Sequence, residues 1–364
     1  MSLCLCRSRF DRAALCVAVI SLGCLLEPPL RGQQSQESST QTRPAPAVEG
    51  AVPGTDEAQA ALQAARAAYL RQEWQEALPG LKNAARAFPD DALVHYQLGF
   101  SLDRTGNREQ ALEHKRRARE LFGEQAERSQ RWEPYYYLAA LEGLDFGNKE
   151  KARDLAVLGL ARIDEREEFN GVECFRASRL AGFAERPEDA ARWMERAAER
   201  FAVEEAPPPA YATEALSVSG EKAFQAADYE RARDRLERAA SLSTTANDAW
   251  YLAGVARLRL GDDVGAVRSL RRLEGDEGRT EAQYAIRLVQ RSKDLTLPEA
   301  LPDGRPISGM RHEDRASALR RACTGEFEAE SEILALALLM DFLKRGQVLR
   351  ELTLRTSCVG ILFR

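Results

Sequence analysis

A small residue followed twelve positions later by an alanine recurs six times along this chain. The pairs are Ala65 and Ala77, Gly99 and Ala111, Ala140 and Ala152, Ser178 and Ala190, Gly220 and Ala232, and Gly254 and Ala266. Seven positions further on stands another small residue in most units, at Ala84, Ala118, Gly159, Ala197 and Ala239, with Leu273 the exception. From Ala77 to Ala111 is 34 residues, the next steps, to Ala152, Ala190 and Ala232, are 41, 38 and 42, and the last, to Ala266, is again 34. The twelve-residue step stays fixed, so the extra residues fall between units. A fixed internal ruler with variable joints predicts six helical hairpins, with insertions confined to the loops that connect them.

Close packing explains the ruler. A small residue on the first helix of a hairpin lets the second helix approach at short range, where a large side chain would push the axes apart. The alanine on the second helix faces it. Turns are marked by Arg104-Thr105-Gly106-Asn107, Phe146-Gly147-Asn148 and Leu260-Gly261-Asp262, where glycine accepts the backbone angles that end a helix. Leu98, Leu102, Leu180, Leu236, Leu252 and Leu270 fill the remaining contacts. The segments "HYQLGFSLDRTGNREQALEHKRRA" and "WYLAGVARLRLGDDVGAVRSLRRL", with Pro89 closing the first unit, resemble the tetratricopeptide repeat (TPR) family. The resemblance covers roughly residues 58 to 280. Units three and four depart from it by carrying Ala139-Ala140 and Ala177-Ser178 where the family has Leu-Gly. It implies an all-α, right-handed α-solenoid of about six hairpins.

The N-terminus reads as an export signal over residues 1–32. Arg7, Arg9 and Arg12 precede the apolar run "AALCVAVISLGCLL", which as a helix spans about 21 Å and falls short of a bilayer core. Ser21-Leu22-Gly23 before Cys24 partly resembles a bacterial lipobox, so Cys24 is a lipidation candidate; a cut near Gly32 is the alternative. Residues 33–56, rich in Gln, Ser, Thr and Pro, cannot bury enough surface to offset their ordering entropy and read as a flexible tether. The repeat domain is placed at residues 57–295, with "TEAQYAIRLVQRSKDL" capping its last apolar face. Residues 296–364 form a helical extension of unassigned role. Its apolar stretch "ILALALLMDFL" is too short to cross a membrane. Cys174, Cys323 and Cys358, far apart and odd in number, imply no disulfide framework.

No catalytic constellation is found. The three histidines are read apart: His95 as a satisfied core residue, His114 on a charged face beside Lys115, and His312 without the second histidine a zinc site needs. No phosphate loop, nucleophile elbow or calcium loop appears. No cofactor and no metal are expected. The net charge of -5 gives no general attraction to phosphate, and Lys115-Arg116-Arg117 is read as part of a mixed surface, so nucleic acid is not expected as a partner.

Function points instead to an exported, non-enzymatic scaffold of the periplasm or cell envelope. Tyr96, Tyr137, Phe175 and Tyr251 occupy one position in four units, which the TPR resemblance places on the concave groove. Phe100, Leu141 and Arg179 extend the strip one turn on, with Arg104 at its edge. Aromatic and arginine side chains concentrate binding energy, so a peptide or partner protein is the expected ligand. The competing reading of these rings is packing between neighbouring first helices. The competing functional class is an accessory or regulatory subunit of an envelope enzyme or secretion complex, acting through residues 296–364. Self-association and a membrane-surface tether through the N-terminus are further expectations.

Overall fold

The computed structural model describes residues 55–164, 168–243, 247–273, 275–347 and 361–362. The export segment, Cys24 and the tether as far as residue 54 lie outside the described residues. The fold is all-α and TPR-like. Six hairpins follow one another: α1 (Thr55–Leu70) with α2 (Trp74–Ala87), α3 (Ala92–Arg104) with α4 (Arg108–Arg128), α5 (Glu133–Ala140) with α6 (Lys149–Leu160), α7 (Gly171–Phe183) with α8 (Pro187–Val203), α9 (Pro209–Gln225) with α10 (Tyr229–Leu242), and α11 (Asn247–Arg259) with α12 (Asp263–Leu270). Three helices complete the described chain, α13 (Gly275–Ser292), α14 (His312–Cys323) and α15 (Ser331–Lys344). Among the described residues, extended pairing is limited to one bridge between Ala300 and Pro306.

Packing divides the chain into one unit ending at Ala197 and another beginning at Ala198, within α8. In the first, each helix from α1 to α7 packs on the next, and α5 also touches α7. In the second, α9 to α13 do the same, and α9 also touches α11.

The twelve-residue step sets a small residue against the backbone of the facing helix. The Ser178 hydroxyl donates to the Ala190 carbonyl at 2.7 Å. A methyl group placed on Gly99 would lie 3.1 Å from the Ala111 carbonyl oxygen, and one on Gly254 would lie 3.4 Å from that of Ala266. Ala77, Ala111, Ala152, Ala232 and Ala266 are all buried.

Every hairpin turn carries a left-handed residue five positions before its alanine: Gln72, Gly106, Gly147, Glu185, Ala227 and Gly261, with φ between 57° and 85°. The following amide then reaches back over the helix end. Glu73, Asn107, Arg186, Asp228 and Asp262 donate to the carbonyls of Ala68, Leu102, Ala181, Ala223 and Arg257, five residues earlier. This closure satisfies a carbonyl the helix leaves open. In the third hairpin Asn148 donates to Glu142, six residues back, because α5 continues into a π-helical turn, Leu141–Asp145. Only three of these turns advertise themselves with glycine. Entry into the helices is set by side-chain caps: Asp91 accepts from the amides of Leu93 and Val94, and Asn170 with Glu173 forms a reciprocal cap on α7.

The described part of the extension is packed into the second unit. The apolar helix α15 lies on α14, α13 and α11, so α13 is itself covered rather than forming the outer cap. Arg315 on α14 is buried, donates to the Met310 carbonyl at 2.6 Å and lies 3.1 Å from Asp341 on α15. The buried Tyr251 hydroxyl on α11 donates to the Gln347 carbonyl at 2.6 Å. Cys323 is disulfide-bonded, a link that the wide spacing of the cysteines did not suggest.

The turns give a paired test. A methyl group on Gly106 meets nothing within 4 Å, so Gly106→Ala carries only the cost of a left-handed backbone. It is expected to lose about 1 kcal/mol in urea unfolding. Ala227→Gly, at the equivalent turn, is expected to gain several tenths of a kcal/mol, less than the strain it relieves because glycine also loosens the unfolded chain. Equal effects of the same sign would show that the left-handed turns are not what differs between the hairpins.

Candidate binding cleft in the first unit

A cleft of about 820 Å³ opens in the first unit. Arg66 of α1, Asp90 and Asp91 of the α2–α3 loop, and Leu93 of α3 form one wall. The C-terminal half of α4 contributes Arg117, Leu121, Phe122, Glu124, Gln125 and Arg128, followed by Ser129 and Arg131 in the connection. Glu133, Pro134 and Tyr137 of α5 and Arg176 of α7 close the other side.

The floor is aromatic. Phe122 and Tyr137 stack face to face, centroids 4.6 Å apart and planes 8° apart, and Tyr96 meets Tyr137 edge-on at 5.0 Å. The Arg176 guanidinium lies over the Tyr137 ring at 5.4 Å. The rim alternates in sign: Arg66 with Asp91 at 3.3 Å, Arg117 with Asp90 at 2.8 Å, Arg128 with Glu124 at 3.4 Å, and Arg131 with Glu133. Five guanidinium groups stand beside four carboxylates, so the cleft presents paired charges rather than one sign. Exposed pairs of this kind hold little energy each and can exchange partners with a ligand's own charges.

The eight residues expected to line a groove are dispersed. Tyr137 lies in the cleft floor, where it and Phe122 are themselves buried and reach the cleft only at their edges, with half-buried Tyr96 against it. Half-buried Phe100 belongs to a separate cluster, 5.4 Å from Trp74 and 6.0 Å from Tyr69, with the Arg104 guanidinium 5.1 Å above its ring. Leu141 is fully buried in the π turn and presents no surface. Phe175 is buried beneath the Arg179 guanidinium, 5.3 Å away. Tyr251 belongs to the second unit, where burial, reinforced by nearby Glu281, pushes its phenol pKa well up. Tyr96 and Tyr137, on successive first helices, pack on each other as well as on the cleft. Sequence reasoning missed Phe122, whose spacing places it on the second helix of its hairpin, and Arg66, Asp91 and Arg176, which look like surface charges until the folded chain gathers them.

Two further polar groups depart from expectation. Lys115 is buried rather than part of an exposed basic run, and its ammonium donates to Asp103 at 2.8 Å and Asp145 at 2.6 Å. Burial lowers the Lys115 pKa, but the two carboxylates outweigh it and hold the ammonium charged. Asp145 is enclosed enough that burial raises its own pKa, which Lys115 offsets only in part. His114 is half-buried and packs on His95, with Nδ1 3.0 Å from Nδ1; His95 Nε2 lies 3.0 Å from the Pro89 carbonyl. Both histidines have pKa values lowered, chiefly by burial. His312 lies apart from them, with Nδ1 3.1 Å from the Gln347 side-chain amide. Among the described residues no three or more His, Cys, Asp or Glu side chains gather where they could hold a metal ion, and no helix is long and apolar enough to cross a membrane. The second unit has a smaller cleft of about 510 Å³ beside Arg231, Arg235 and Arg238 of α10, where buried Arg235 donates to the Ser219 hydroxyl.

No protein-family model and no curated protein matches the chain. Several solved structures show partial likeness. YrrB, a TPR protein with an unusual peptide-binding site, is 19% identical over 59% of this chain and 98% of its own, with a TM-score of 0.32. The TPR domain of P58(IPK) is 15% identical over 84% and 85%, at 0.28. The apo form of the quorum sensor NprR from B. thuringiensis is 13% identical over 84% and 87%, at 0.35.

The buried triad makes a measurable demand. Lys115→Ala leaves two carboxylates facing each other across α3, α4 and the π turn. Its expected cost is about 3 kcal/mol in denaturant unfolding, at the low end for a broken buried pair because both carboxylates keep some water. A loss within a few tenths of a kcal/mol would mean that solvent already screens the site.

Proposed function

We propose that the chain is an exported, non-enzymatic scaffold that binds a protein segment in the cleft between α1, α3, α4, α5 and α7. The observation that carries this reading is the cleft itself: a stacked aromatic floor beneath a rim of exchangeable ion pairs. A peptide offers both halves of what such a surface takes, apolar or planar groups for the floor and charges of either sign for the rim. A phosphate backbone offers one sign only and meets four carboxylates. Export is supported by the basic-then-apolar N-terminal sequence and by the disulfide at Cys323, which persists where the surroundings are oxidising. Residence in a bacterial periplasm or envelope follows from that reading, as does lipid anchoring if processing occurs at Cys24.

Quantitative crosslinking in the native envelope tests the proposal. Arg176→Glu puts a carboxylate over the Tyr137 ring and reverses one side of the rim. Partners captured by the wild type are expected to fall about tenfold or more in this variant, the loss of one central anchor, while its melting temperature stays near the parent value. An unchanged partner set in a folded Arg176→Glu protein rejects the cleft. Mass analysis of the mature N-terminus decides the anchor: a diacylated Cys24 supports it, and an unmodified terminus near Gln33 rejects it.

A further inference from the structure

The two histidines between α3 and α4 are joined by an unusual contact, because each ring offers the other the same atom. The Pro89 carbonyl can only accept, so His95 Nε2 carries a proton and donates to it at 3.0 Å. A neutral His95 therefore has a bare Nδ1. The partner 3.0 Å away, His114 Nδ1, must then be the donor. The ring centroids lie 5.2 Å apart with planes inclined by 31°. One proton added to the pair can be accommodated, since the Nδ1–H–Nδ1 link survives with the charge on either ring. A second proton cannot. It places an N–H on both facing nitrogens, and the contact becomes donor against donor.

The contact governs a wall of the cleft. Through Nε2, His95 ties down the carbonyl of Pro89. The next two residues are Asp90, paired with Arg117, and Asp91, paired with Arg66 and capping α3; all four of these side chains line the cleft. The charged groups facing the pair oppose one another. On the His95 side, the Pro89 carbonyl that accepts from Nε2 favours protonation, Arg117 of α4 disfavours it, and Asp91 and Asp90 of the loop favour it more weakly. On the His114 side, His95 of α3 and Lys82 of α2 disfavour it and Glu113 of α4 favours it. Burial is larger than any of these and keeps both rings neutral near pH 7.

We propose that His95 and His114 form a proton-operated latch: at neutral pH the pair holds the Pro89–Asp91 loop on the cleft, and in acid the donor-against-donor contact drives the His95 ring away from His114 and carries its Nε2–H, protonated throughout, out of line with the Pro89 carbonyl. The sign follows from linkage. Both groups titrate below their ordinary value of 6.5 in the folded chain. Their contribution to stability is therefore complete above that pH and is lost as pH falls through 6.5 towards the folded-state values. The latch would regulate the cleft of the proposed function, but its test reads the loop directly. Failure of the latch and failure of the cleft as a binding site are thus separate results.

Hydrogen exchange on the full chain at about pH 7.5 and about pH 5, corrected for intrinsic rate, supplies the test. Protection of residues 88–95 is expected to drop about tenfold in acid beyond any change elsewhere in α3 and α4. His114→Gln provides the control. Its amide can donate to a neutral His95 or accept from a protonated one, so the acid-specific drop should disappear. An equal drop in the variant, or none in the wild type, overturns the latch. Should His114→Gln fail to fold, histidine NMR titration of the wild type decides: two coupled steps below pH 6.5 support the latch, and independent steps near 6.5 overturn it.

Discussion

The hairpins depend on small residues that leave room for the facing helix to come close. At Gly99 the space is so closely occupied that a methyl group would come within 2.9 Å of the Lys115 stem. That stem carries the cation joining Asp103 to Asp145. The small residue therefore determines more than an interhelical distance. It lets Lys115 pass beneath α3 and reach the turn of the next hairpin, so close packing inside one repeat becomes an electrostatic tie to its neighbour. Gly159 does the same with shape instead of charge: Tyr135 and Leu180, from the helices before and after it, crowd its bare face so closely that an added methyl group would lie 2.8 and 2.9 Å from them.

The π turn after α5 belongs to the same system. It presents Asp145 to Lys115 and Glu142 to Lys151, the latter at 2.6 Å, while Arg119 lies 4.4 Å over the Phe146 ring. An extra residue in a helix displaces the side chains that follow it. Here the displaced residues are acids, and each meets a cation from a neighbouring helix. The third repeat departs from the sequence pattern of its neighbours and makes its contacts through charge.

The hairpins were legible because their signal is steric and local. Gly, Ala or Ser at a fixed spacing means close approach whatever surrounds it, and the Ser178–Ala190 contact obeys the rule even where the Leu-Gly pair is replaced. Half of the turns were not legible, since Gln72, Glu185 and Ala227 adopt glycine-like angles without being glycine; hairpin closure fixes those angles from outside the tetrapeptide. The cleft was less legible still. Tyr96 and Tyr137 could be placed on equivalent faces, but Phe122, which stacks on Tyr137 and meets Tyr96 edge-on, lies on a helix with a different phase. Lys115 and His114 sit in a run of charges that reads as solvated surface, and only the position of α3 shows that both point inward. Charge in a sequence indicates what a residue can do, and burial decides which of those things it does.

The packing of α15 on α11 and α13 has a consequence for assembly. A stack of similar hairpins ends in a face shaped to receive another hairpin, and an unguarded one invites the next molecule to dock there and the next after it. Ala335, Leu338, Leu339 and Phe342 of α15 are buried, while Glu332 is turned out to Arg291. Among the described residues, the apolar faces of α11 and α13 are thus met by a helix of different character, and the surface they would offer to another hairpin is taken up inside the chain.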